Sequence, residues 1–273
     1  MVQVDVFWSY AIGAGFALAA GERPRAEMTG LPPEGEGGGD VLRNPHFTAS
    51  VLFFAVVFAP SGAWLLWAFP GWETMHAASG HAAIPAWVVA AFAATNTALG
   101  AAGFVATRRL VRLGRNRLAA LQFLGGYFGF FLILVHGWDG TGYRRFLSST
   151  AADLAAWESG APLANAAEWL SSGVALTLYG MGAVMLPLML GMMARWHNAE
   201  RRRAGIRSSA STASAFIARV LVYVFGIALG AAVLTSALIH HIGWLGGLAV
   251  SGTLAAASCL PRRGVLAWVG DRF

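Results

Sequence analysis

Seven long apolar stretches alternate with short polar or arginine-rich segments along this chain. A hydrocarbon core of about 30 Å requires roughly 20 residues of apolar helix. On that criterion, membrane spans are predicted at residues 4–20, 47–69, 84–106, 118–137, 171–194, 215–239 and 242–260. The predicted fold is all-α, a polytopic bundle of seven transmembrane helices that forms a single domain over residues 1–273.

The arginines predict the orientation of this bundle. The segments TRRLVRLGRNR and RWHNAERRRAGIR, which follow the third and fifth spans, hold five arginines each. Because basic residues collect in cytoplasmic loops, both segments are expected to face the cytoplasm. The N-terminus is then outside, the C-terminus is cytoplasmic, and all of the 19 arginines except Arg144 and Arg145 lie on the cytoplasmic side.

Two connections are longer than the rest. Residues 21–46 are rich in glycine, proline and acidic side chains, a composition typical of a mobile cytoplasmic loop. Residues 138–170 are predicted to form an extracytoplasmic loop with a short interfacial helix at 151–158 and a possible second one at 163–170.

Composition narrows the function classes. The chain is 57% hydrophobic and 12% charged, so its solvent is the lipid bilayer, and a cell membrane, in particular a bacterial inner membrane, is the expected location. The bilayer already explains the arginines, which argues against nucleic acid as a partner. The chain has no lysine, which excludes a retinal Schiff base, and its single cysteine, Cys259, excludes an internal disulfide.

Histidines and acids collect at the predicted extracytoplasmic ends of the spans. Imidazole and carboxylate groups are ligands for transition metals and are also the groups of a proton relay. The candidate metal ligands are Glu73, His76, His81, His136, Asp139 and His240. A haem ligated axially by His136 and by His240 or His241 is the alternative cofactor.

The spacing of these residues limits the site. Adjacent helical residues point about 100° apart, so His240 and His241 cannot bind one ion unless the helix unwinds. We expect one of the two to face the bundle and the other to face water or lipid headgroups. No spacing matches a zinc signature such as H-E-x-x-H.

Further polar and small residues inside the spans predict interhelical contacts. Asn96, between Thr95 and Thr97, must form a hydrogen bond across helices, with Gln122 and Tyr127 as candidate partners. The glycine pairs at 226 and 230 and at 243 and 247 predict close helix packing. The prolines at positions 60 and 187 predict kinks in the second and fifth spans.

Three function classes remain open. The first hypothesis is a metal- or haem-binding subunit of a membrane redox or electron-transfer assembly. The second is a proton-coupled transporter or channel that uses the same histidines. The third is a structural subunit that docks other membrane subunits. The sequence has no nucleotide-binding loop, and it leaves open whether the protein is an enzyme.

Overall fold

The computed structural model describes residues 4–20, 41–69, 84–148, 162–203 and 205–259, together with residues 155, 157 and 160. These residues contain helices and connecting turns, without a strand. The helices are α1 (Val4–Ala19), α2 (Pro45–Ala68), α3 (Ala86–Arg112), α4 (Asn116–Val135), α5 (Gly142–Phe146), α6 (Pro162–Leu170), α7 (Gly173–Arg203) and α8 (210–259). The all-helical prediction is confirmed for this part of the chain.

Five of these helices, α2, α3, α4, α7 and α8, are long and apolar enough to cross a membrane, and α1 is a shorter apolar helix. Residues 21–40 of the predicted mobile loop lie outside the described residues. The rest of that loop holds a short 3-10 helix at Val41–Arg43 and the start of α2. Of the two predicted interfacial helices, the second is present as α6, and most of the first lies outside the described residues.

Helix α8 folds back on itself at Gly243. This glycine has φ 76° and ψ 169°, a backbone conformation that interrupts a helix. The hydroxyl oxygens of Thr235 and Ser251 are 2.7 Å apart. Sixteen residues of straight helix would separate these side chains by about 24 Å. The two legs of α8, residues 210–242 and 244–259, are therefore antiparallel. The sequence analysis expected the connection between the sixth and seventh spans at residues 240–241, and the structure places it at Gly243.

The predicted packing role of the glycine pairs in α8 is partly wrong. Gly243 is a turn, and Gly247 packs against Ile239 across that turn. A Cβ at Gly230 would meet no described atom within 4 Å, and one at Gly226 would meet only Val222 of the same helix. Gly226 and Gly230 therefore do not pack against another described helix.

Close helix packing occurs instead around α1, which lies at the centre of the bundle. From Ala11 to Ala20 the helix is buried at every position. A Cβ at Gly13 would lie 3.1 Å from the Cα of Gly100 in α3, and one at Gly126 of α4 would lie 2.8 Å from the Cβ of Ala11. Glycines of the neighbouring helices thus let a short apolar helix sit deep in the bundle.

Contacts between helix termini define the two ends of the bundle. At the arginine end, where α1, α3 and α7 finish, the Arg108 side chain donates to the carbonyl of Ala20, and His46 contacts Glu200. At the histidine end, where α4 finishes and α7 begins, His136 contacts Ser236 of α8. The predicted arginine-rich segments therefore begin at one and the same end of the structure.

The buried amide of Asn96 is bonded between helices, as predicted, but to a different partner. The Ser9 hydroxyl of α1 donates to the Asn96 side-chain oxygen at 2.6 Å, and the Asn96 amide nitrogen donates to the carbonyl of Phe92 at 3.0 Å. Gln122 instead accepts from Thr107 at 3.2 Å. The expectation of Gln122 or Tyr127 as the partner was wrong because the central position of α1 is a property of the tertiary fold.

The two prolines have different effects. Pro60 follows a π-helical segment, Phe54–Phe58, and the hydroxyl of Ser61 donates to the carbonyl of Val57 at 2.6 Å. The wider turn accommodates a residue that has no backbone N–H to donate. Pro187 lies inside α7, which continues through it as an α-helix.

Candidate functional site at the histidine end

Among the described residues, His136 is the buried histidine at this end. It follows the last residue of α4 and is 6% exposed. Its Nδ1 lies 3.0 Å from the Ser236 hydroxyl oxygen in the first leg of α8. Its ring meets the Trp244 ring edge-on at 5.1 Å, and Trp244 in turn stacks on Trp138 at 5.6 Å. Contacts from both legs of α8 thus fix the orientation of this imidazole.

The hydrogen bond to Ser236 bears on the chemistry of His136. A hydroxyl oxygen can accept from Nδ1–H, which leaves the lone pair on Nε2 free to bind a proton or a metal ion. Metal-binding histidines commonly have such a partner on the second ring nitrogen. Among the described residues, Ser236 is the hydrogen-bonding partner of His136.

Helix geometry places His240 at the same end of the bundle as His136. Ser236, which contacts His136, and His240 are four residues apart in α8, so both lie on the same face of that helix. The convergence of His136 and His240 on one metal ion stays a prediction.

The two adjacent histidines lie at the end of the first leg of α8. The His240 and His241 rings are 5.5 Å apart with an interplanar angle of 76°. Both residues are exposed, because α8 reaches its turn at Gly243 immediately after them. That one of the two faces the bundle stays a prediction.

Asp139 is held in the turn that follows α4. Its carboxylate accepts from the Thr141 backbone N–H at 3.1 Å, from the Thr141 hydroxyl at 2.5 Å and from the Arg145 guanidinium at 2.6 Å. Burial raises the pKa of Asp139, but these three interactions outweigh it and leave the pKa below its ordinary value. The Asp139 carboxylate, a predicted metal ligand, is thus paired with Arg145 and stabilises the turn.

The three remaining predicted ligands, Glu73, His76 and His81, lie outside the described residues. Within the residues that the structure describes, no group of three or more histidine, cysteine, aspartate or glutamate side chains could hold a metal ion. The described part of the predicted site therefore consists of the imidazoles of His136 and His240 and of the Asp139 carboxylate, which is already bonded within its own turn.

The sequence analysis did not identify Ser236, the partner that orients His136, or a second polar cluster at the arginine end. There, Glu200 lies 3.4 Å from Nε2 of His46 and 2.5 Å from the Arg203 guanidinium. The sequence offered one signal for Ser236, namely its spacing of four residues before His240. No spacing links His46 to Glu200, because 154 residues separate them.

The comparisons with known proteins come from a family model and a relative. Residues 115–273, more than half of the chain, match the model of an uncharacterized membrane protein family. An uncharacterized protein of Archaeoglobus fulgidus is 36% identical over 228 residues, which cover 80% of this chain and 95% of that protein. The chain belongs to this uncharacterized membrane protein family. No solved structure matches it.

Membership in this membrane protein family confirms that the chain is a membrane protein. The part matched by the family model begins just before α4 and extends through α8. It therefore includes His136, Ser236, His240 and Trp244, whereas α1, α2 and α3 lie before it. Neither the family nor the relative is named for a ligand or a reaction.

Proposed function

We propose that the chain crosses a cell membrane seven times, with the histidine end outside, and binds a transition metal ion there through His136 and His240. The antiparallel legs of α8 support seven crossings, because each leg is a separate apolar helix. The arginine-rich end supports the orientation. A bacterial inner membrane remains part of this proposal.

The orientation can be tested with single cysteines in a Cys259→Ser background. Ser171→Cys lies at the histidine end and Ser211→Cys at the arginine end, and both positions are exposed. In intact cells, a membrane-impermeant maleimide should label position 171, and position 211 should react only after permeabilisation. The reverse pattern would reject the proposed orientation.

The contact between His136 and Ser236 is the observation that carries the metal proposal, because Ser236 lies one helical turn before His240 on the same face of α8. A hydrogen bond from His136 Nδ1–H to Ser236 would leave the lone pair of Nε2 available. Two imidazoles favour zinc, copper, iron or nickel over magnesium or calcium. Glu73, His76 and His81 are the proposed sources of the further ligands that such an ion requires.

A single ion fits the described residues better than a haem does. A haem needs a large apolar cavity beside its axial histidines. Three apolar cavities of the described helices, of about 340, 430 and 500 Å³, are lined by other residues and contain neither His136 nor His240. We therefore propose a mononuclear metal site. Electron transfer within a membrane assembly is the proposed use of that ion.

Metal content of protein purified without an affinity tag tests the proposal. We expect about one equivalent of a transition metal in the wild type and a loss of at least tenfold in affinity for His136→Ala and for His240→Ala. His241→Ala is the matched control, because it is the adjacent exposed histidine. Equal metal binding by all four proteins, or a folded wild type that binds no added zinc or copper, would overturn the site.

The redox part of the proposal has a separate test. The metal-loaded protein should change its absorption or electron paramagnetic resonance spectrum on titration with dithionite and ferricyanide. A bound metal whose spectrum does not respond would reject electron transfer but leave the metal site intact.

A further inference from the structure

A cavity of about 340 Å³ lies between α1, α2, α4, α5, α7 and α8. Its longest wall is one face of α7, with side chains three or four residues apart. These are Leu178, Met181, Gly182, Met185, Leu186 and Met189. Methionine side chains are flexible, so this wall can adapt to the shape of an occupant.

The cavity is elongated along the bundle. Leu178 and Met189 are separated by about 16 Å of helix, roughly half the thickness of a hydrocarbon core. The cavity reaches the surface between α7 and α8, where Leu186 is 45% and Phe225 56% exposed.

The lining offers almost no hydrogen bond to an occupant. Trp8 is the one lining side chain with an N–H donor, and it is already bonded to the Tyr127 hydroxyl. Water in such a cavity would lack the two to four polar partners that it needs. A quinone ring would bury its carbonyl oxygens without donors, which costs free energy. The chemistry of the lining therefore favours a hydrocarbon chain.

Both π-helical segments of the described chain contribute to the walls. Phe54–Phe58 provides Phe58, and Val222–Ala228 provides Phe225. π-Helical turns in an α-helix frequently mark functional sites. In α2 the segment also accommodates Pro60, but α8 has no proline in or next to its π-helical segment. No proline accounts for the π-helical segment of α8, and this segment lies at the mouth of the cavity, where it provides Phe225.

We propose that this cavity is a binding site for one hydrocarbon chain of a bilayer lipid, which enters between α7 and α8. The site is independent of the proposed metal site, because the two share no residue. The bound chain would fill the apolar space between these six helices.

Two glycines of α7 provide a matched test. A Cβ at Gly182 or at Gly180 meets no described atom within 4 Å, but only Gly182 lines the cavity. Native mass spectrometry of protein extracted in mild detergent should find one bound diacyl lipid on the wild type and on Gly180→Phe. For Gly182→Phe the lipid-bound fraction should fall about tenfold, because the phenyl ring occupies the cavity.

The measured mass of the adduct identifies the occupant. A wild type that carries no lipid, or a Gly182→Phe variant that retains as much lipid as Gly180→Phe, would overturn the proposal, as would a quinone or a free fatty acid as the bound species. Met185→Trp fills the same cavity from the next turn of α7 and is the second variant if Gly182→Phe does not fold. Equal helical circular dichroism of the variants and the wild type establishes that folding is unchanged.

Discussion

Substitution of Gly13 by alanine should strongly destabilise the bundle. A Cβ at this position would lie 2.8 Å from the carbonyl carbon of Gly100 and 3.1 Å from its Cα, and it would overlap the carbonyl oxygen. The obstacle is backbone, so no side-chain rotation relieves it. Helices α1 and α3 must therefore move apart.

The structure sets the magnitude of this effect. Forcing an extra methyl group into a packed core typically costs about 1–3 kcal/mol. The separation also stretches the 2.6 Å hydrogen bond from Ser9 to Asn96, and leaving a buried polar group without its partner costs about 1–3 kcal/mol. Alanine recovers about 0.5–1 kcal/mol of helix propensity relative to glycine. The net loss in the free energy of unfolding for Gly13→Ala is expected to be about 2–4 kcal/mol.

The assay is unfolding in mixed micelles by titration with sodium dodecyl sulfate, followed by circular dichroism. Gly191→Ala in α7 is the matched control, because its added Cβ meets no described atom within 4 Å. That variant should be unchanged or more stable by up to about 1 kcal/mol. Equal stability of Gly13→Ala and Gly191→Ala would refute the close approach of α1 and α3.

Two further predictions concern the turns at the histidine end. Gly243→Ala places a side chain at φ 76°, where backbone strain costs about 1–3 kcal/mol. In a protein that carries Thr235→Cys and Ser251→Cys, this added substitution should slow disulfide formation between the two cysteines, because it destabilises the turn that brings them together. An unchanged rate would contradict the turn at Gly243. The pKa of Asp139 is lowered in the folded protein, so the ionised carboxylate stabilises the turn at pH values above the ordinary pKa of an aspartate, about 4. This stabilisation is lost as the pH falls through the lower pKa of the folded state. The protection factors of the turn amides, which correct hydrogen exchange for its intrinsic pH dependence, should therefore fall on acidification. Asp139→Asn cannot titrate, so its protection factors should not change with pH, and an equal fall in this variant would contradict the role of the Asp139 carboxylate.

Part of the candidate site could be predicted from the sequence. The ends of apolar stretches place His136 and His240 at one depth, since span length fixes where each helix leaves the membrane. Their lateral proximity was a hypothesis, because hydropathy carries no information about which helices are neighbours. Ser236 is the hydrogen-bonding partner of His136 only because α8 packs against α4, and this contact joins residues 100 positions apart.

The amino-acid sequence by itself determined that lipid surrounds most of the protein, that the fold is all-α, and that the arginines are grouped at one end of the bundle. These properties follow from local hydrophobicity and charge, which act on each segment independently of the others. Tertiary structure alone decided that α1, the apolar helix shorter than the five long ones, is deeply buried from Ala11 onward. It also decided that Asn96 pairs with Ser9 and that an apolar cavity remains between the helices. Each of these depends on the shapes of surfaces distant in sequence, and glycines such as Gly13 and Gly100 gain their role only when the two helices meet.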